Sequence, residues 1–505
     1  MAVRRLAVLA VVAAALGAGA QTSSAASSIH WQPCSRPTFD RWKSVDGATL
    51  TGFDCAAVVR PLDRARPGGA QVRLAVVRLP ATGPPSQRKG TLFHNPGGPG
   101  QSGLGLSIIV DLLPPEIRAS FDFVTYDPRG IGASLPAIQG PGCNIPKPAR
   151  PATGPVDWAR VLRTRQHQAA SHNARCFAGN RRIVEHAGTV DGAYDLDALR
   201  AAVGDPKITY WGISYGTLLG STYAQLFPGR VRALVFDGNM DPQISLYGIS
   251  TGAQAPDHSI GFFLQANPAL RVKYDAIMRR LDRRVLALPG GPTYTRWDLL
   301  DVLNDDVPFF IDPGGDWATA REAIETAYTG IFGSGDAQHQ AQRKLAGNPN
   351  LRSPSTGTVG SLWSAVVCQD FADRISDDRQ QRRLKWLIKE APIYGGSLGV
   401  DYLTTCNGYG GARPQPVPRP RRYGPDVHGI VANATRDGET PYQWAVNMAR
   451  TYRGMRMLTL VGGIHGTFGL SESSCVDSTI AQYLITTTLP AVDLTCPYVA
   501  PPGFR

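Results

Sequence analysis

Ser214 stands inside Gly212-Ile213-Ser214-Tyr215-Gly216, behind the β-branched and aromatic run at 207–211 and ahead of a helix-capable stretch at 217–227. Strand, sharp turn, helix is the setting in which Gly-x-Ser-x-Gly becomes a nucleophile elbow, with the hydroxyl exposed. A serine hydroxyl is a weak nucleophile until a base takes its proton as attack proceeds. In such architectures the acid and the histidine follow the serine in that order, each just beyond a late strand. Asp437, in Thr435-Arg436-Asp437-Gly438-Glu439-Thr440-Pro441, and His465, in Gly462-Gly463-Ile464-His465-Gly466, meet that requirement. Thr440-Pro441 reads as a helix start, with Thr440 capping and Pro441 at the first helical position. Asp237, ending the strand after the elbow, and Glu439, beside Asp437, stay open as alternative acids. His428 opens its strand and His258 falls in an inserted region, so both are read as structural.

The chemistry is therefore acyl transfer, and its oxyanion needs two donors already aimed at the developing charge. Tyr215 N–H is the one an elbow supplies. The other is expected from Pro96-Gly97-Gly98-Pro99-Gly100, a loop directly after a strand. Its prolines have no N–H, so Gly97 or Gly98 must donate.

Elements must hold these residues together. Apolar runs predict strands at Gln71–Leu79, 91–95, 121–126, 207–211, 231–236, 427–434 and 455–461. A helix at 191–200 precedes the elbow strand. Strands alternating with helices predict an α/β fold, a mostly parallel sheet covered on both faces. The alternation breaks after Asp241-Pro242, where helical stretches at 268–286, 297–303 and 317–331 replace it. The organisation expected is a catalytic core at 27–242 and 425–505, interrupted by a helical cap and linker at 243–424. The Pro- and Arg-rich stretch at 411–425 marks the exit from the cap.

The 505 residues are 43% hydrophobic, enough for a sizeable core, and carry a net charge of +12. The arginines are spread along the chain rather than gathered on one element among aromatics, which argues against nucleic acid as a partner. A basic solvated surface is the favoured reading, with weak association with an anionic cell wall left open. Met1-Ala2-Val3-Arg4-Arg5, the apolar run at 6–20 and small residues up to Ala26 read as a secretory signal peptide at 1–26. The run is short for a bilayer span, and no stable membrane anchor is expected. Export agrees with eight cysteines, whose clustering predicts the bridges Cys34–Cys55, Cys143–Cys176, Cys368–Cys406 and Cys475–Cys496. With no C-x-x-C and no histidine at ligand spacing from a cysteine pair, no metal site is read. The triad chemistry calls for no cofactor.

His94-Asn95-Pro96-Gly97-Gly98-Pro99-Gly100, the run at 126–134 (Tyr126-Asp127-Pro128-Arg129-Gly130-Ile131-Gly132-Ala133-Ser134), the elbow and the Asp437-to-Pro441 motif resemble the secreted tripeptidyl aminopeptidases of actinobacteria. These are prolyl-aminopeptidase-like serine peptidases of the α/β-hydrolase fold. The resemblance covers most of the chain, least in the cap, and implies a triad of Ser214, Asp437 and His465 and an aminopeptidase-type cap. Ile464 departs from the Gly-His-Gly pattern often found there. The activity implied is release of short peptides, tripeptides above all, from peptide or protein substrates with free N-termini. An exopeptidase needs a carboxylate for the substrate's α-amine, and Asp370, in Cys368-Gln369-Asp370, is the candidate. The rival readings are a secreted esterase or amidase on small acyl substrates and a non-catalytic binding protein of the same fold.

Overall fold

The computed structural model describes residues 29–42, 50–105, 107–140, 142–146, 149–307, 317–347, 359–410, 416–418 and 427–497. The leader read at 1–26 and most of the linker read at 411–425 lie outside the described residues.

Ten strands make one sheet: β1 (Gln32–Pro33), β2 (Asp54–Pro61), β3 (Gln71–Leu79), β4 (Gly90–Asn95), β5 (Phe121–Asp127), β6 (Ile208–Ser214), β7 (Val231–Asn239), β8 (His428–Ala434), β9 (Gly454–Leu460) and β10 (Leu494–Cys496). Their spatial order is β1-β2-β3-β5-β4-β6-β7-β8-β9-β10. Pairing is antiparallel from β1 to β5 and parallel from β5 to β10. A parallel sheet is buried on both faces, so its central strands must be apolar throughout. Alternate residues then serve opposite cores. Phe93, Tyr210, Leu234 and Val431 enter one hydrophobic cluster, and their neighbours Leu92, Trp211, Val235 and Ile430 enter the other. The helices that matter for the site are α1 (Thr189–Ala202), α2 (Tyr215–Leu226), α3 (Ser361–Asp370), α4 (Tyr442–Thr451) and α5 (Ser474–Thr486).

Strand β2 is not among the strands expected from the sequence. Its run of small and aliphatic residues is short, and the pairing with β3 is what makes it a strand.

Between the neighbouring strands β7 and β8 the chain leaves the sheet and returns. The helices Ala255–Ala266, Pro268–Arg283, Arg296–Asp306, Ala318–Phe332 and Gly335–Gly347 pack around a core of their own, with Phe263, Ile277, Leu281, Leu303 and Ile324 at its centre. The second part of the insertion behaves differently. Val366 of α3, Leu384 of helix Asp377–Glu390 and Leu403 of helix Ser397–Thr404 belong to the cluster under the sheet. Helix Trp158–Val184, rich in arginine and amides and so without a clear apolar signature, packs there too. Its Gln166 Nε2 donates to Gln380 Oε1 at 2.9 Å, and its Asn173 Nδ2 donates to Thr405 O at 2.8 Å.

All eight cysteines are paired in the expected sequence. Each bridge closes a loop of 21 to 38 residues, worth roughly 2–4 kcal/mol by chain entropy. Cys368–Cys406 fastens α3 to the segment following helix Ser397–Thr404, and Cys475–Cys496 fastens α5 to β10.

Candidate active site

Ser214 ends β6 and precedes the first residue of α2, with φ 57° and ψ −126°. A non-glycine residue there carries strain on the order of 1–3 kcal/mol, retained only where the surroundings impose it. The loop after β4 lies against this turn. A methyl group on Gly97 (φ +102°) would come 2.8 Å from Ser214 Cβ and 3.2 Å from Tyr215 N. The first glycine of the loop thus lies beside Ser214 and Tyr215 N. Gly97 N–H, however, donates to Asn95 Oδ1 at 3.1 Å. That engagement favours Gly98 over Gly97 as the loop's donor.

His94, which opens the same motif, is fully buried, with Nδ1 3.1 Å from Trp211 O. Burial drives its pKa down to about 3, so the ring is neutral and ties β4 to β6.

Asp437 follows β8 and His465 follows β9, and the structure brings the two together. His465 Nδ1 lies 2.9 Å from Asp437 Oδ1 and 3.0 Å from Oδ2. Both residues are buried. The N–H groups of Glu439 and Thr440 each donate to Asp437 Oδ1 at 2.8 Å, and the Thr440 hydroxyl donates to Oδ2 at 3.0 Å. Burial by itself lowers the imidazole's pKa; the charge and hydrogen bond of Asp437 outweigh it, and the His465 pKa is raised. Such a carboxylate fixes the ring with its proton on Nδ1, which leaves Nε2 as the base.

Thr440 does not cap a helix as expected. α4 starts at Tyr442 with Pro441 as its N-cap residue and no side-chain cap. The Thr440 hydroxyl is spent on Asp437 because that buried carboxylate needs donors more than a solvated helix end does.

The end of β7 supports both partners. Asp237, the alternative acid, is buried and accepts from Thr467 N–H (2.9 and 2.8 Å), Thr467 Oγ1 (2.9 Å) and Phe468 N–H (2.9 Å). It therefore holds the loop that carries His465. Gly238 (φ +59°) leaves room for the ring, since a methyl group there would sit 2.9 Å from His465 Cε1. Asn239 N–H donates to Asn433 Oδ1 at 2.7 Å, and Asn433 Nδ2 lies 3.4 Å from Asp437 Oδ2. The other alternative, Glu439, is half-buried and contributes its backbone N–H to Asp437. His428 opens β8, and His258 lies on helix Ala255–Ala266.

Asp370 is not placed to meet a substrate amine. It is 2% exposed, and its carboxylate receives Thr189 N–H at 2.7 Å on Oδ1 and the Thr189 hydroxyl at 2.5 Å on Oδ2. The sequence reading gave Asp370, Asp237 and Thr440 other roles and did not single out Asn433. Of these only Thr440 left a local signal, three residues beyond Asp437.

Residues 90–276 match the family model described as alpha/beta hydrolase fold, and residues 391–496 match the one described as TAP-like protein. The chain is 31% identical to serine protease Hip1 of Mycobacterium tuberculosis, over 93% of this chain and 91% of that protein. It is 28% identical to tripeptidyl aminopeptidase of Streptomyces lividans, over 95% and 89%. It is 29% identical to carboxylesterase B of Mycobacterium tuberculosis, over 89% and 88%.

Proposed function

Since this chain belongs to the α/β-hydrolase serine peptidases that include Hip1 and the tripeptidyl aminopeptidases, it is a serine hydrolase, and we propose that it releases short peptides, tripeptides above all, from free N-termini. The observation that carries the chemistry is the buried Asp437–His465 pair at 2.9 Å, delivered by the two strands that follow the insertion; the choice of peptides is supported by the likeness to tripeptidyl aminopeptidase over 95% of this chain. His465 Nε2 takes the Ser214 proton as the hydroxyl attacks the carbonyl carbon, and Asp437 stabilises the imidazolium that forms. Tyr215 N–H and Gly98 N–H receive the oxyanion. The imidazolium then protonates the leaving amine, the peptidyl ester remains on Ser214, and His465 activates the water that hydrolyses it.

The four disulfides suit an oxidising compartment, and no helix among the described residues is long and apolar enough to cross a membrane. With the leader read at 1–26, they support action outside the cell.

Hydrolysis of a chromogenic Ala-Ala-Pro substrate, free and N-acetylated, tests the exopeptidase reading. Strong preference for the free amine is expected, whereas equal turnover of both would refute it. The likeness to carboxylesterase B favours a second reading, an esterase on small acyl groups. Short-chain nitrophenyl esters outpacing every peptide in kcat/KM would establish it instead.

A further inference from the structure

Asp370 closes a buried three-membered chain. Its Oδ2 receives the Thr189 hydroxyl at 2.5 Å, and Thr189 Oγ1 lies 2.5 Å from Tyr215 Oη. Thr189, Asp370 and Tyr215 are 0%, 2% and 7% exposed. Above pH about 7, where Asp370 is ionised, the carboxylate only accepts, so the Thr189 proton points to Asp370 and the Tyr215 proton must point to Thr189. The chain has one direction.

Its two ends belong to different parts of the molecule. Tyr215 is the residue after the nucleophile, and its own N–H is the elbow's oxyanion donor in the mechanism proposed above. Asp370 ends α3, a helix of the insertion fastened two residues earlier by Cys368–Cys406. Residues 362, 366 and 370 are spaced by four and share one face of α3. Leu362 on that face meets the oxyanion loop, since a methyl group on Gly100 would lie 2.8 Å from Leu362 Cβ. Val366 lines, together with Gly97, Gly188 and Tyr215, the cavity between the loop and the elbow. A single helical face thus touches the loop bearing one donor and, through Thr189, the residue bearing the other.

We infer that Asp370 is a positioning residue for the oxyanion hole, acting through the Thr189 hydroxyl on the side chain of Tyr215. The insertion thereby sets the aim of the elbow donor. Donor placement matters because an oxyanion contact that is only slightly misdirected loses most of its transition-state stabilisation.

A bare structural role competes, because Gly188 offers α1 no side-chain cap and Asp370 accepts Thr189 N–H in its place. Asparagine caps helices about as well as aspartate, so Asp370→Asn separates the two roles. Its amide oxygen can keep Thr189 N–H, but its NH₂ then faces Thr189 Oγ1 and reverses the chain, stranding the Tyr215 proton.

The experiment uses the full-length enzyme at pH 8 with whichever tripeptide or ester substrate it turns over. Asp370→Asn, Thr189→Val and Tyr215→Phe are each expected to lower kcat on the order of 10-fold with KM within about 2-fold. The Thr189→Val/Tyr215→Phe double variant should be no slower than the slower single, since both cut one link, and Thr189→Ser should restore wild-type kcat. Fluorophosphonate labelling of Ser214 reports that the variants are folded. Wild-type kcat in Asp370→Asn and Tyr215→Phe, or losses that multiply in the double variant, would overturn the inference. It rests on the serine-hydrolase reading, and a wild-type enzyme that neither labels nor turns over any substrate would refute that reading separately. Should Thr189→Val fail to fold, Tyr215→Phe and Asp370→Asn still decide the matter.

Discussion

His465 Nδ1 stands within 3.0 Å of both carboxylate oxygens of Asp437, although 28 residues separate them and each hangs from the end of a different strand. β8 and β9 pair in parallel register, Ala434 opposite Leu460, so both loops leave the same edge of the sheet. Ser214 leaves that edge too, from β6. Parallel strands bring their C-terminal ends together, and that is why ligands and chemistry gather there.

Asp437→Asn should fold normally and lose roughly 10⁴ in kcat, because an amide NH₂ donating to Nδ1 leaves the ring proton on Nε2, where the base is needed. Steady-state kinetics beside a circular dichroism melt checks this. Near-wild-type activity would transfer the acid's role to Asp237 or Glu439.

Asp237→Asn should act on stability more than on chemistry. The carboxylate accepts from Thr467 N–H, Thr467 Oγ1 and Phe468 N–H, and an amide cannot satisfy all three. A loss of about 1–3 kcal/mol in urea unfolding is expected, with a smaller fall in kcat than Asp437→Asn gives.

Gly238→Ala should impair the enzyme without removing any polar group. The added methyl would meet His465 Cε1 at 2.9 Å and Nδ1 at 3.0 Å, in a backbone conformation that alanine disfavours. A kcat reduction of at least ~10-fold is expected. An unchanged kcat would mean that the ring has more freedom than its packing indicates.

Activity should fall as the solution is acidified through a pKa above the ordinary histidine value of about 6.5. The base must be neutral, and Asp437 outweighs burial to favour the protonated ring. In Asp437→Asn burial is opposed only by the charges of Glu439 and Asp237, so the acid limb of the remaining activity should move to lower pH. Profiles of kcat against pH for the two proteins measure the shift, and a limb that moves upward would contradict the assignment.

Asp370 predicts a stability trend with the opposite sign to that of a salt-bridged carboxylate. Burial pushes its pKa up to about 7 from 3.8, while Thr189 only partly offsets it. Between those values the native state binds more protons than the unfolded state, so this group's contribution to stability falls as pH rises. The Tm of wild type relative to Asp370→Asn should therefore drop between pH 5 and pH 8. A constant difference would mean that the carboxyl titrates normally.

The disulfides predict one more outcome. Reduction under native conditions should lower Tm substantially, since each bridge constrains the unfolded chain by roughly 2–4 kcal/mol. Four titratable thiol pairs in the untreated protein would contradict the pairing.

Local chemistry was legible in the sequence wherever the residues that carry it are neighbours in the chain. The elbow at Ser214 shows its strand, its turn and its helix within 20 residues, and the cysteines pair with the nearest cysteine along the chain. The strands of the parallel half, β10 excepted, followed from their apolar runs, because burial on both faces leaves a composition that short-range reading can detect; their order in the sheet did not. Helix Trp158–Val184 was hidden because its exposed face is charged and its partners lie more than 200 residues away.

The proposed nucleophile Ser214, and Asp437 and His465 in the order the chemistry needs, are thus named from the sequence alone. Tertiary structure alone decided what surrounds them. It placed Asp237 under the histidine loop, engaged Gly97 N–H with Asn95, and buried Asp370 against Thr189 instead of exposing it to a substrate. The reason is physical: a buried carboxylate must find donors, and which donors it meets depends on how distant segments pack, a fact no local pattern encodes.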